Sequence, residues 1–259
     1  MSYLIKEVKA VNLTRILKKY NDQKQITMVT AWDALSGHFI ERSKVDCLLV
    51  GDSLGMTALG HTTTIPVTLS DMIHHTKAVT RVAKRPFVIS DLPFSAMNNP
   101  IDAAIQLISN GAQSVKIEGV HEFIPKMIHI GIPVLGHLGL APQHVNKLGG
   151  YKIWRDEEKL VEQAKKLESM KCWGIVLECV PAGIARKVQE AVNIPIVGIG
   201  AGVLDGQVLV FSDLLGLNDK VPKFCRVMAN AGDVIDSGID KFCDTVESKD
   251  FPNKDEVYS

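Results

Sequence analysis

Polar side chains that could do chemistry recur at one kind of position, at or just after the end of a short apolar run. Three of them are carboxylates, Asp52, Asp91 and Glu118, and they are accompanied by Lys116 and His137. Carboxylates brought together repel one another unless a cation neutralises them. Oxygen ligands without a Cys or His cluster suit Mg2+, which prefers octahedral coordination and retains water. We therefore expect Asp52, Asp91 and Glu118 to form a magnesium site.

A magnesium ion at this position would act as a Lewis acid on a small 2-oxo acid. The carboxylate and the oxo group of the acid would both bind the magnesium ion. The ion would then stabilise the enolate that forms when C3 loses a proton. Lys116 would neutralise the substrate carboxylate, although a lysine here could instead form a Schiff base. His137 could bind the oxo group or orient a carboxylate, and a purely structural histidine is the alternative.

Glu178 is the candidate proton acceptor. It lies near the end of the apolar run GIVLECV, where burial would raise its pKa towards that of a useful general base. The alternative is a carboxylate paired with a neighbouring cation. Asp33 and Asp213 also end apolar runs, but for these two a role as helix N-caps is the favoured interpretation.

Eight short runs rich in Val, Ile and Leu precede these polar residues and indicate β-strands. Nearly continuous apolar strands are typical of a parallel sheet that is buried on both faces. The strands are predicted at 25–33, 46–53, 87–93, 114–119, 133–139, 174–180, 195–202 and 207–213. Helices are predicted at 34–44, 70–83, 100–110, 122–130, 156–171 and 182–193, with Ser70 as the N-cap of the second.

The alternation of strands and helices predicts a single (β/α)8 TIM barrel over residues 1–259. Extra N- and C-terminal helices are predicted at 11–22 and 222–247, followed by a polar tail at 248–259. In a barrel the C-terminal ends of the strands meet at one mouth, which would bring the polar residues together. A doubly wound sheet is the alternative, because a sequence does not show closure.

Charge and hydropathy exclude several classes of partner. The formal net charge is zero, so no basic field attracts nucleic acid or anionic lipid. Apolar runs such as IPIVGIG are far shorter than the roughly 20 residues that span a bilayer. The five cysteines form no C-x-x-C pair, which favours reduced thiols in the cytoplasm. We expect a cytoplasmic protein that binds small molecules.

Two loops are also informative. The segment at 55–70 is long enough to form a lid over the mouth, with His61 helping to shape it. The motif GIGAG at 198–202 falls on the seventh strand and lacks the spacing of a dinucleotide fingerprint. Its glycines could approach a phosphate or simply make a tight turn.

Nine motifs occur in order over roughly residues 3 to 250: GDSLGM, GHTTTIPVTLSDM, DLPF, VKIEG, GHLGLAPQ, GGY, LECVP, IGIGAG and DGQVLV. Together they closely resemble the ketopantoate hydroxymethyltransferase family. The resemblance implies transfer of a hydroxymethyl group from 5,10-methylenetetrahydrofolate to 3-methyl-2-oxobutanoate, forming 2-dehydropantoate for pantothenate biosynthesis. It also implies a homo-oligomer, a decamer built from pentamer rings, in which the extra helices could mediate assembly.

The motifs also imply residue roles. Asp52 and Asp91 would be magnesium ligands that also contact the substrate, and Glu118 would be a further ligand, directly or through water. Ser53 and Lys116 would bind the 2-oxo acid. In the motif LECVP, Glu178 would be the proton acceptor.

The chain departs from the family pattern in two places. After Tyr151 it is a few residues shorter than expected and lacks a Gln-Gly pair, and Ser212 stands where a His commonly precedes the Asp. If these two differences affect function, we expect the effect at the contacts with folate. A related metal-dependent carbon-carbon lyase is disfavoured because no cysteine falls on a predicted mouth loop. A non-catalytic ligand-binding barrel would predict loss of the mouth residues, which are complete.

Overall fold

Eight parallel strands close into one barrel in the computed structural model, which describes residues 10–150 and 153–258. β1 pairs with β2 on one side and with β8 on the other, so that Met28 lies opposite both Cys47 and Val208. This closure confirms the predicted (β/α)8 barrel and excludes the open sheet. The strands are β1 Ile26–Thr30, β2 Cys47–Val50, β3 Phe87–Asp91, β4 Ser114–Glu118, β5 Val134–Gly139, β6 Gly174–Glu178, β7 Ile196–Ile199 and β8 Gly206–Leu209.

Helices surround most of the strands. They are α1 Leu13–Asn21, α2 Ala34–Glu41, α3 Leu54–Thr57, α4 Leu69–Val82, α5 Pro100–Ser109, α6 Ile124–His129, α7 Val145–Leu148, α8 Glu157–Ser169 and α9 Ala182–Glu190. Short 3-10 turns at Phe94–Ala96 and Pro142–His144 follow β3 and β5. Residues 200–205 connect β7 to β8 through bends. The terminal helix predicted at 11–22 is present as α1.

Capping residues explain where two helices begin. Asp33 accepts a hydrogen bond from the backbone N–H of Ser36 at 2.7 Å and is the N-cap of α2, as favoured from sequence. The N-cap of α4 is Thr68, so the prediction of Ser70 is wrong. Thr68 and Asp71 bond each other's backbone N–H reciprocally, and this capping box satisfies two donors at the helix start.

Every residue of β2, β3, β4 and β5 is buried, as their continuous apolar character predicts. Several strands are nevertheless shorter than predicted. β2 ends at Val50 and β8 at Leu209, and a helical turn begins at Phe211. The chain leaves the barrel once the apolar run ends, so polar residues counted with the strands lie in the turns that follow.

The chain divides after residue 210 into two compact units, and the barrel belongs to the first. The second unit contains α10 Phe211–Leu214 and α11 Ala231–Glu247. The predicted start of this last helix at 222 is wrong, because Met228 and Ala231 donate their N–H groups to the carbonyls of Leu214 and Leu215. The prediction of one domain over 1–259 stays a prediction.

The residues after α11 form turns and bends, and the predicted polar tail includes one packed aromatic residue. The ring of Phe251 meets that of Phe242 edge to face, with centroids 5.6 Å apart. Across residues 10–150 and 153–258, no helix combines the length and the apolar character needed to cross a membrane.

Candidate active site

The predicted site residues of the barrel lie together at the C-terminal ends of its strands. Asp91 and Glu118 end β3 and β4, and β4 also carries Lys116. Asp52 follows β2, and His137 lies on β5, opposite Glu118. Each of these five side chains belongs to a residue that is at most 5% exposed. Buried charges are costly unless they are paired, so this cluster is a candidate functional site.

Asp91 is the centre of the ionic contacts. Its Oδ1 lies 3.1 Å from Nζ of Lys116, and its Oδ2 accepts a hydrogen bond from the backbone N–H of Asp52 at 3.0 Å. Burial acts to lower the pKa of Lys116, but the carboxylates of Asp91, Glu118 and Asp52 outweigh it and raise the pKa. Lys116 is therefore a fixed cation at neutral pH.

The carboxylates carry more negative charge than Lys116 alone balances. Burial, with the charge of Asp91, raises the pKa of Asp52 to about 7. Burial and the charge of Asp52 raise the pKa of Glu118 well above its usual value. A bound cation would relieve this repulsion and favour the ionised carboxylates.

The donor set fits magnesium better than a softer metal. Mg2+ commonly takes one or two carboxylates and completes its octahedron with water and substrate oxygens. Asp52 and Asp91, whose side chains lie within hydrogen-bonding reach of each other, supply that number. In residues 10–150 and 153–258 no three His, Cys, Asp or Glu side chains form a ready ligand cluster. The assignment of the metal ligands stays a prediction.

His137 lies between the cation and the candidate base. Lys116 lies 3.3 Å from its Nδ1, and Nε2 lies 3.4 Å from Oε2 of Glu178. Burial and the charge of Lys116 hold the pKa of His137 well below its usual value, so the imidazole is neutral. Because Nδ1 accepts from the ammonium group, the imidazole proton is on Nε2. Nε2 lies near the carboxylate of Glu178 but makes no hydrogen bond to another described residue.

Glu178 ends β6, and its side chain is the most exposed of the charged side chains in this site. Its side chain is 19% exposed, and burial raises its pKa to about 7, with Lys116 opposing and Asp52 and Asp91 adding to the rise. A carboxylate with this pKa is suited to accept a proton near neutral pH. The predicted environment of Glu178 is thus present.

Gln143 belongs to the site but was not predicted to do so. It is 5% exposed and lies in the 3-10 turn after β5. Its Nε2 donates to Oδ2 of Asp52 at 2.8 Å and to the carbonyl of Leu92 at 3.0 Å. Its backbone N–H donates to Oε2 of Glu118 at 3.1 Å. A neutral amide gives no charge signal in a sequence, and only its place directly after a strand end could have indicated this role.

Residues 10–254 match the family described as Ketopantoate hydroxymethyltransferase. The chain belongs to the ketopantoate hydroxymethyltransferase family. It is 45% identical to the 3-methyl-2-oxobutanoate hydroxymethyltransferase of Thermosipho africanus, with 96% of this chain and 98% of the relative covered. It is 40% identical to the enzyme of that name from Flavobacterium johnsoniae, with both chains covered completely. The family resemblance seen in the motifs is confirmed, and the chain is a transferase.

Solved structures that have little sequence identity to this chain share its fold. Phosphonopyruvate hydrolase aligns with a TM-score of 0.62 at 10% identity, covering 95% of this chain and 93% of its own. The 2,3-dimethylmalate lyase of the PEP mutase/isocitrate lyase superfamily aligns with a TM-score of 0.58 at 13% identity, covering 95% and 91%. At these identities the likeness concerns the fold alone.

The remaining residues singled out from the family motifs lie in several places. Ser53 is half-buried at the start of α3 and makes no side-chain cap hydrogen bond. Asp213 and Ser212 lie in α10 of the second unit, and the side chain of Asn218 donates to both of them. The prediction of Asp213 as a helix N-cap is wrong, because it lies inside Phe211–Leu214. Tyr151, the last residue of the motif GGY, lies outside the described residues.

The loops around the mouth also have defined contacts. In the predicted lid, the N–H of His61 donates to the carbonyl of Gly55, and the hydroxyl of Ser95 donates to the carbonyl of Val67. The lid function stays a prediction. Gly202 has φ +83° and its carbonyl accepts from the side chain of Gln207. The two interpretations of GIGAG stay predictions.

One cysteine does lie at the mouth, contrary to the expectation from sequence. Cys179 directly follows β6 and has φ +50°, in the left-handed region. Its N–H donates to the carbonyl of Ile199 at 2.9 Å. Burial raises the pKa of its thiol to about 11, so it is a poor nucleophile or acid at neutral pH.

Proposed function

We propose that this protein transfers a hydroxymethyl group from 5,10-methylenetetrahydrofolate to 3-methyl-2-oxobutanoate, forming 2-dehydropantoate. The names of relatives 40–46% identical to the chain support the acceptor substrate. The single observation that carries the chemistry is Glu178, a carboxylate with a pKa of about 7 that shares one mouth with a fixed cation and a cluster of acidic residues. This combination suits proton removal next to an oxo group.

The substrate would be held by charge and by oxygen-binding groups. Asp52 and Asp91, with Glu118 as a further direct or water-mediated ligand, would hold Mg2+, which supplies Lewis-acid stabilisation of negative charge on the oxo oxygen. The ammonium group of Lys116 would bind the substrate carboxylate, and the hydroxyl of Ser53 would add a hydrogen bond. Lys116 lies 3.1 Å from Asp91, so substrate and acidic residues would share its charge.

Glu178 would remove the proton from C3 of the bound acid. The Nε2–H of His137, 3.4 Å from Oε2 of Glu178, would orient this carboxylate or bind the oxo group. The C3 carbanion equivalent would then bond to the methylene carbon, and both bonds of that carbon to folate nitrogens would break. In the net reaction water supplies the hydroxyl of the CH2OH group at C3. The proton lost from C3 and one proton of water end on the nitrogens of the tetrahydrofolate that leaves.

We also propose that the protein is a homo-oligomer, and from its family we expect a decamer. The exposed apolar side chains of α11 support this proposal, among them Val234, Ile239 and Phe242, which are 73%, 57% and 55% exposed in the chain. Light scattering coupled to size exclusion measures the assembly directly.

Product analysis tests the proposed function. Purified protein with Mg2+, the 2-oxo acid and methylenetetrahydrofolate is expected to form 2-dehydropantoate, identified by mass spectrometry. Glu178→Gln should form it at least about 100-fold more slowly at the same enzyme concentration. Glu190→Gln, an exposed glutamate at the end of α9, is the matched control and should behave as wild type. Failure of the folded wild type to form product would refute the assignment of the donor, the acceptor or both.

A further inference from the structure

Gln143 contacts three neighbouring strand ends at once. Its side-chain amide reaches Asp52 after β2 and the carbonyl of Leu92 after β3, and its backbone N–H reaches Glu118 at the end of β4. A buried side-chain amide that donates to two acceptors is held in one orientation by both. It is therefore a rigid support and not an adaptable surface group.

The two carboxylates are each bonded through one oxygen. Gln143 donates to Oδ2 of Asp52 at 2.8 Å and to Oε2 of Glu118 at 3.1 Å. Each bond leaves the second oxygen of that carboxylate to face other partners and fixes the rotation of the carboxylate plane. Residues that orient metal ligands in this way typically change metal affinity or activity by about 10- to 100-fold when they are lost.

We propose that Gln143 is a positioning residue, which presents one oxygen of Asp52 and one of Glu118 to a divalent cation. The inference rests on the proposed function in so far as the cation is the Mg2+ of that site.

Binding of Mn2+ to the substrate-free protein, followed by electron paramagnetic resonance, tests the proposal without any turnover. Gln143→Met keeps the length and burial of the side chain and the backbone N–H that bonds Glu118, but removes the side-chain donor to Asp52. We expect its Kd for Mn2+ to rise by about 10- to 100-fold with an unchanged number of sites. Gln189→Met is the matched control, because Gln189 also donates its Nε2 to a carboxylate, that of Asp205 at 2.6 Å, at the opposite end of the barrel.

Kinetics separate positioning from a merely structural role. If Gln143 positions the ligands, excess Mg2+ should restore most of the kcat of Gln143→Met while the Mg2+ concentration for half-activation stays raised. A Kd within twofold of wild type would overturn the proposal. Gln143→Ala is a second variant, and failure of both variants to fold would also overturn it, since Gln143 would then be a structural residue. If the wild type shows no transferase activity but the Mn2+ results are as expected, the proposed function is refuted and this inference stands.

Discussion

Gly139 controls how closely β5 approaches the strand that carries the proposed base. It ends β5 opposite Glu178, with φ +92°, and a Cβ at this position would lie 2.2 Å from the carbonyl oxygen of Glu178 and 2.9 Å from Cγ2 of Val180. The same carbonyl accepts the N–H of Leu140 at 2.9 Å. Gly139→Ala therefore cannot be accommodated unless the two strand ends separate.

The size of the effect follows from these distances. A left-handed backbone costs a non-glycine residue roughly 1–2 kcal/mol, and overpacking adds about 1–3 kcal/mol. Gly131→Ala is the matched control, because Gly131 has φ +93° and its added Cβ would meet nothing within 4 Å. The difference in unfolding free energy between the two variants should thus be about 1–3 kcal/mol, or about 2–12 °C in Tm.

Thermal unfolding and an activity assay together check the reasoning. A displacement of about 1 Å at a catalytic group can cost about 100-fold in rate, so Gly139→Ala should lose activity to that extent while Gly131→Ala retains it. Equal unfolding temperatures and equal activities for the two variants would refute the claim that close packing at Gly139 positions Glu178.

Three further predictions concern the charged residues. Lys116→Met should raise the KM for the 2-oxo acid at least about 10-fold, since a buried charged hydrogen bond is worth roughly 1.5–3 kcal/mol; an unchanged KM would exclude Lys116 from carboxylate binding. The rate of proton abstraction should rise with pH through about 7 and then level off, because the raised pKa of Glu178 keeps the base protonated below that pH; a flat profile between pH 5 and pH 9 would contradict this. Mg2+ at about 100 times its Kd should stabilise the wild type by about 2.7 kcal/mol in thermal unfolding, and Asp52→Asn should abolish the gain; equal stabilisation of both would exclude Asp52 as a ligand.

The strands of the barrel were predictable because most of them are short apolar runs that the fold buries on both faces. Their C-terminal limits were not, because residues such as Asp52 and Asp213 continue the run in sequence but lie in the following turn or helix. Closure depends on the pairing of β1 with β8, where Ile26 lies opposite Gly206. A pairing over that separation leaves no local signal in the chain.

The charged residues of the site could be predicted from the sequence, because a charge at the end of an apolar run is unusual. Glu178 stands out at the end of an apolar strand, and a carboxylate there has few structural uses. Gln143 did not stand out, because its role comes from three contacts across the barrel and none of them is local in sequence. The late start of α11 had the same cause, since the carbonyls that bond Met228 and Ala231 precede them by 14 and 16 residues (228 − 214 and 231 − 215).

Exchange of the C3 hydrogen of 3-methyl-2-oxobutanoate with deuterium from solvent tests the central claim most directly. With Mg2+ and no folate, the wild type should catalyse this exchange, and Glu178→Gln should bind the acid but exchange it about 100- to 10,000-fold more slowly. Nuclear magnetic resonance follows the loss of the C3 proton signal. No exchange by the folded wild type would contradict proton removal at C3, and exchange by Glu178→Gln at near the wild-type rate would show that another group is the base.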